Sequence, residues 1–449
     1  MIQKDEISKF ETGLNDFDSS IRENALCELC ELLELGEIKI KQPTEQLNLH
    51  FHTFFSYSGY AYSPSYIAWW AKKEGLFATG IVDFDVLDGV DEFLRAARDL
   101  DLRSACGVET RVFIPEFSDK EINSPGEPGV AYHMGVGFVE GKVPQEAQTF
   151  LAGMRRKASE RTKGIVERVN TCLDLVALDF DKEVIPLAPS GNVTERHVCE
   201  AYYSKATEVF KDIAQRAEFW AEKLEVSDAD MEEIIEDSVK LQGLIRSKTM
   251  KEGGVGYVAP DPESFPLLKD MNEFSKQCGA IPTVAWLNGE SSGEADVDAL
   301  LDMHISCGAA AINIIPDRNW NFPDPKVKAK KVNELNRIIE GALKRDMPVI
   351  VGTEANAPGQ KLVDDFASDA LSGHIKTFME GAAIASTHTV LQPKGMGYLS
   401  EWAEKHFSSI ADKNKFFAKF GNYALPSLLE KIENVNSETS PEDLLKAVL

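Results

Sequence analysis

The sequence has no apolar run of the length a membrane-spanning helix needs. Its opening, MIQKDEISKFETG, is polar and charged where a secretory signal would be apolar. The chain therefore reads as soluble and cytoplasmic. Positive charge is scarce, with 48 Lys and Arg against 73 Asp and Glu, a net charge of -25. A nucleic-acid backbone or an anionic membrane needs a basic face, so neither is expected as a partner. An anionic small molecule would need a locally positive pocket or a metal. Seven cysteines, an odd and scattered set, make no disulfide framework. Cys27 and Cys30 form a C-x-x-C inside a helical pattern with no second pair nearby, and read as small core residues.

What is present suffices for a large core: 449 residues, 43% hydrophobic. Residues 1–45 carry Ile21, Leu26, Leu29, Leu32, Leu33 and Leu35 at helical spacing, an N-terminal helical segment closed by Gly36 and a short strand at Ile38–Ile40. From Leu47 the pattern changes to apolar runs, 47–52, 77–83, 103–109 and 132–139, within a first barrel part at 46–143. Residues 144–255 are rich in charges at helical spacing and read as an inserted helical lobe, in which Thr194 is a plausible N-cap. Strand and helix alternation resumes over 256–365 with runs at 280–286, 309–315 and 348–353, and residues 366–449 continue as helices. Seven strands, most followed by helices, define the expected class: α/β, a distorted (β/α)7 TIM-like barrel with a helical insertion and helical extensions at both ends. A homo-oligomer is left open.

Functional groups of a parallel barrel gather at the C-terminal strand ends. Those ends carry His50 and His52, then Asp83 and Phe84, then Glu109, then His133, Trp286, Asp317 to Asn319, and Glu354 to Asn356. Side chains at i and i+2 of a strand share a face, so His50 and His52 can present two imidazoles to one point. Two histidines with carboxylates suit Zn, Mn or Fe better than Ca or Mg.

The runs LHFHTFFS, SPSYIAWWAKKEGLFATGIVDFDVLDGV and GVE together resemble the opening of the polymerase and histidinol phosphatase (PHP) domain, in residue type, order and spacing. The resemblance implies a distorted seven-stranded barrel that holds up to three metals. It assigns His50, His52, Glu109 and Glu354 to a first metal and His133, with Glu109, to a second. Tyr57, Phe84, Trp286 and Asn356 stand where the family pattern has further ligands, which leaves one complete site and a reduced second. It further implies a metal-dependent phosphoesterase, acting on a small anionic metabolite through a metal-bound hydroxide. A single-metal hydrolase of a C-N or ester bond and a catalytically silent binding protein are the alternatives. Asp83 or Asp85 is the expected general base and His197 or His388 the proton donor. Arg196, Arg318, Lys361 and Asn356 are the expected substrate contacts, the cations because they can pair with a carboxylate or phosphate.

Overall fold

The structure, a computed structural model, describes residues 4–259, 262–423 and 425–448. The chain divides into two compact units, one formed by residues 1–53, 58–150 and 266–449, the other by 54–57 and 151–265.

The first unit is a single seven-stranded sheet in sequence order. Its strands are β1 (Leu47–Phe51), β2 (Ala78–Phe84), β3 (Arg103–Phe113), β4 (Val130–Val136), β5 (Ile281–Trp286), β6 (Ala311–Ile314) and β7 (Val349–Val351). These are the apolar runs of the sequence, and β1 and β7 are buried at every position. That is the pattern of a sheet covered on both faces. β1 to β3 pair in parallel, as do β5 to β7, but β4 runs antiparallel to both of its neighbours. The expected all-parallel order is therefore corrected at one strand. The long loop 114–129 after β3 brings the chain back without a crossover helix, and without one the next strand pairs antiparallel.

The sheet curls until its edges meet, where Phe51 bridges Glu354 in parallel. Asn48 fastens that seam. Its Oδ1 accepts from the backbone N–H of His50 (2.9 Å) and Thr353 (3.3 Å), and its Nδ2 donates to Thr353 Oγ1 (2.7 Å) and to the Leu362 carbonyl (3.0 Å). The edges approach this closely because residue 352 is glycine. A Cβ there would fall 2.4 Å from His50 Cβ and 2.5 Å from both His50 N and Asn48 Oδ1.

Helices cover the outside. Pro64–Glu74 starts on the Ser63 cap and stops at Gly75, whose φ of 70° only glycine adopts without cost. The N-terminal helices Lys4–Gly13 and Ser19–Glu34 are tied to this layer by Arg22, whose guanidinium pairs with Glu92, and by Glu11, which accepts from Trp69 Nε1. The short strand expected at Ile38–Ile40 does not form. Helix Ile375–Leu391 packs on β7, where Gly381 lets the Val349 carbonyl approach. Among the described residues no helix is long and apolar enough to cross a membrane.

The second unit is helical and has its own core, with Val166, Val169, Leu173, Tyr202, Trp220, Leu224, Leu241 and Ile245 all buried. Its helices include Glu195–Val209, Ile213–Leu224 and Ser238–Thr249, capped by Thr194, Asp212 and Asp237.

Candidate metal centre

The site grows from the alternation of β1. His50 and His52 turn to the inside of the barrel at the strand's C-terminal end, with their Nε2 atoms 3.2 Å apart. Glu109, on β3, brings its Oε2 to 3.4 Å from each of them. All three side chains are buried, and they form the one group of potential metal ligands among the described residues, with donor atoms within 4.8 Å of one another.

The electrostatics of this triad call for a positive charge at its centre. Glu109 Oε2 is buried without a well-formed hydrogen bond among the described residues. Burial by itself pushes the Glu109 carboxyl up, but the two imidazoles outweigh it and hold the group at about 2. Burial likewise pushes His50 down, and the carboxylates of Glu109 and Glu354, with Asn313, more than reverse the effect. The triad thus attracts a proton to a point where three lone pairs converge. A divalent cation satisfies the same geometry without the proton, and a His, His, Glu donor set fits Zn, Mn or Fe.

Neighbouring residues hold the triad in place. His50 Nδ1 lies 2.9 Å from Oδ1 of Asn313 on β6. The Phe84 ring stacks on His52 with centroids 4.2 Å apart and planes at 24°. After β1, Thr53 is anchored by Asp83, whose two oxygens accept from the Thr53 N–H (2.8 Å) and hydroxyl (2.7 Å).

Glu354 takes a position beside the triad rather than in it. It follows β7 with φ 65°, and Ala355 has φ 50°, a left-handed pair rarely kept by residues with a side chain. Its carbonyl accepts from the His52 N–H (2.8 Å), while its carboxylate is held by Arg318 and by Asn356 Nδ2 (2.9 Å). Its charge still reaches His50. Lys361 pairs with Asp317 (3.3 Å) and lies 4.2 Å from the Trp320 ring centroid. The next acid, Asp364, accepts from Trp320 Nε1 (2.7 Å) and the Asp317 N–H (3.1 Å), and burial pushes it up to about 6.

The remaining expected site residues are placed elsewhere or are otherwise engaged. His133 pairs in register with Thr110, one residue past Glu109, so it stands on the opposite face of the sheet. There it lies 2.5 Å from Asn272 Oδ1 and stacks on His304, and burial pushes its imidazole down to about 4. Tyr132, its neighbour, faces Phe84 instead. The second-metal assignment of His133 is therefore corrected by a single step of strand register. Trp286 alternates with Ala285, which is in register with the inward Asn313, and so belongs to the helix-facing side.

Asp83 is committed to Thr53, on the face of β2 opposite Phe84, which corrects its role as a base. Asp85 (φ 61°) follows β2, donates its N–H to the Glu109 carbonyl and accepts from the Thr110 hydroxyl (2.6 Å). His388 is corrected as a proton donor because it is a packing node. It is buried on helix Ile375–Leu391, lies 3.1 Å from the Gly137 carbonyl beyond the far end of β4, and accepts from the Tyr398 N–H. Burial pushes it down to about 4. His197 belongs to the second unit, where its Nδ1 accepts from the Thr194 N–H (3.0 Å) in a capping box, its edge-on ring neighbour is Tyr57, and burial pushes it to about 3. Arg196, in the same helix, has its pKa lowered by burial and by nearby Arg246.

Two functional contributors were missed in the sequence: Asn313, a lone polar residue in an apolar strand, and Asn48, two residues before His50 on the same face. That isolation was the available signal.

The fold and site together define a class: a distorted TIM-like barrel whose first and third strands supply a His, His, Glu group for a divalent metal. No protein-family model matches the sequence, and no curated protein matches it. Among solved structures, the chain is similar to an amidohydrolase from Chromobacterium violaceum, determined with bound sulfate and no metal. The two share 15% identity over 71% of this chain and 91% of that one, with a TM-score of 0.49. It is also similar to a protein from Bifidobacterium adolescentis provisionally described as a metal-dependent phosphoesterase, with 17% identity over 75% of this chain and 98% of that one and a TM-score of 0.44.

Proposed function

We propose that this chain is a metal-dependent hydrolase of the PHP type, a phosphoesterase acting on a small anionic metabolite with one divalent ion of Zn, Mn or Fe. The observation that carries the reading is the convergence of His50 Nε2, His52 Nε2 and Glu109 Oε2 inside the barrel at its C-terminal strand ends. A bound divalent ion supplies Lewis acidity there, polarising a substrate oxygen and making water nucleophilic near neutral pH.

The chain's own residues supply the rest. Arg318, half exposed at the seam, is the cation that meets the substrate's negative charge, and its pairing with Glu354 keeps the guanidinium oriented until the anion arrives. Asn356 steadies the same carboxylate. Phe84 closes one side of the triad and excludes water from His52.

A second reading, hydrolysis of a C-N or ester bond with one metal, is favoured by the outward orientation of His133, which removes a ligand from a second ion. Elemental analysis of protein purified without chelators, beside His50→Ala, tests both. Near-stoichiometric transition metal in the parent and its loss from a folded variant are expected, and a parent without metal overturns the enzymatic reading. A substrate screen then separates the two, since turnover of phosphate esters supports the first and turnover of amides or lactones alone supports the second.

A further inference from the structure

We infer that Asn313 is a positioning residue of the metal centre, whose side-chain oxygen selects the tautomer of His50 that turns a lone pair toward the cation. The inference rests on the metal-centre reading above and concerns how that centre is kept ready.

A neutral imidazole carries one hydrogen on one of two nitrogens. In His50, Nε2 faces His52 and Glu109, while Nδ1 lies 2.9 Å from Asn313 Oδ1. A hydrogen on Nε2 would point into the space the ion needs and would leave Nδ1 facing an oxygen, two acceptors in contact. A hydrogen on Nδ1 is accepted by Asn313 and frees Nε2. The amide oxygen therefore decides which nitrogen binds, the role an outer partner has for most metal-bound histidines.

Nothing in the local packing asks for an amide at this position. Ala311, Ile312 and Ile314, the other residues of β6, are apolar and buried, and so are Ile350 and Ala285, which flank position 313 in register except that Ala285 is partly exposed. Asn313 is itself buried, and among the described residues its Nδ2 has no hydrogen-bond partner. A buried donor left unpaired lowers stability, a cost that the strand's own packing does not repay. The strand keeps a polar group whose one satisfied atom is the oxygen on His50. The amide is also neutral. Two imidazoles, one carboxylate and a divalent ion leave a net charge of +1, which favours an anionic ligand, and an aspartate at 313 would cancel it.

The test compares the parent with Asn313→Leu and Asn313→Asp, all stripped of metal, by cobalt(II) titration in visible absorption against a competing chelator, with melting temperatures of the metal-free proteins alongside. Asn313→Leu is expected to bind cobalt about 10- to 100-fold more weakly while melting close to the parent, because it exchanges one unpaired buried donor, Asn313 Nδ2, for another, His50 Nδ1. Asn313→Asp, which restores the acceptor, is expected to bind at least as tightly as the parent. Should the leucine variant not fold, Asn313→Ala takes its place. Parental affinity in the leucine or alanine variant, or an equal loss in the aspartate variant, overturns the inference alone. A parent that binds no cobalt overturns both it and the proposed function.

Discussion

Replacing Gly352 with alanine tests how the barrel seam and the metal centre depend on each other. The added methyl carbon would arrive 2.4 Å from His50 Cβ and 2.5 Å from His50 N, and the first ligand strand cannot absorb that contact by turning a flexible side chain. β1 and β7 must part. Overpacking of this kind costs about 1–3 kcal/mol. Parting the strands also strains the two Asn48 bonds to Thr353, and the loss of these adds about 1 kcal/mol each. The total of about 3–5 kcal/mol is a large share of a typical folding free energy of about 5–15 kcal/mol. Thermal unfolding followed by circular dichroism should show a melting temperature lower by about 5 °C. Cobalt(II) affinity should fall by about tenfold or more, because His50 moves with its strand. Gly373→Ala, where an added Cβ meets nothing within 4 Å, serves as the control and should match the parent in both measurements. Parental stability together with parental cobalt affinity in Gly352→Ala would refute the account of the seam.

Other expectations follow from the same geometry. Asp83→Ala removes two charge-assisted hydrogen bonds to Thr53 and should destabilise the protein by about 3 kcal/mol in thermal melts, and a variant that keeps its stability but loses turnover would restore Asp83 as a base. His133→Gln should leave bound metal unchanged by elemental analysis, and a loss of metal would return His133 to the ligand set. Burial holds His133 and His388 neutral down to about 4, whereas the unfolded chain takes up these protons near pH 6.5. Between those values the unfolded state binds more protons, so stability should fall as pH drops through the window, by up to about 1.4 kcal/mol per pH unit for each histidine. His388→Gln should reduce that slope by about one proton in melts taken from pH 7 to 4, and an unchanged slope would count against the assignment. Arg318→Ala should raise KM for a phosphate ester by about 10- to 100-fold with bound metal unchanged, and an unaltered KM would remove Arg318 from the substrate site.

The parts of this site legible in the sequence were those written in local periodicity. An alternating strand ending in His50 and His52 shows on its own which side chains share a face, and seven apolar runs in order suffice to count the barrel. Glu109 was reachable because it ends such a run. His133 was not, because its face depends on where an antiparallel strand comes into register with β3, and a shift of one residue exchanges inside for outside. Asp83 and His388 read as reactive groups because their partners, Thr53 and the Gly137 carbonyl, are set by tertiary placement. Glu354 read as a ligand of the first metal, but the pull of Arg318 on its carboxylate, which sets it beside the triad, belongs to three dimensions. Asn313 carried a visible signal, a solitary amide among alanines and isoleucines, that is easily passed over when only ionisable residues are sought.

The reversed fourth strand gives the barrel's two ends different connections. Because β4 begins where its neighbours finish, the 114–129 segment is delivered to the rim that bears the histidines, where a barrel of uniform direction would have placed a loop leading into a helix. That segment is moored by Arg111 to Glu127 (2.8 Å), and by Asn123, which donates to the Ala285 carbonyl and accepts from the Tyr132 N–H. At the opposite rim the chain turns instead at Gly137, locked against His388, where an added Cβ would fall 2.3 Å from the imidazole.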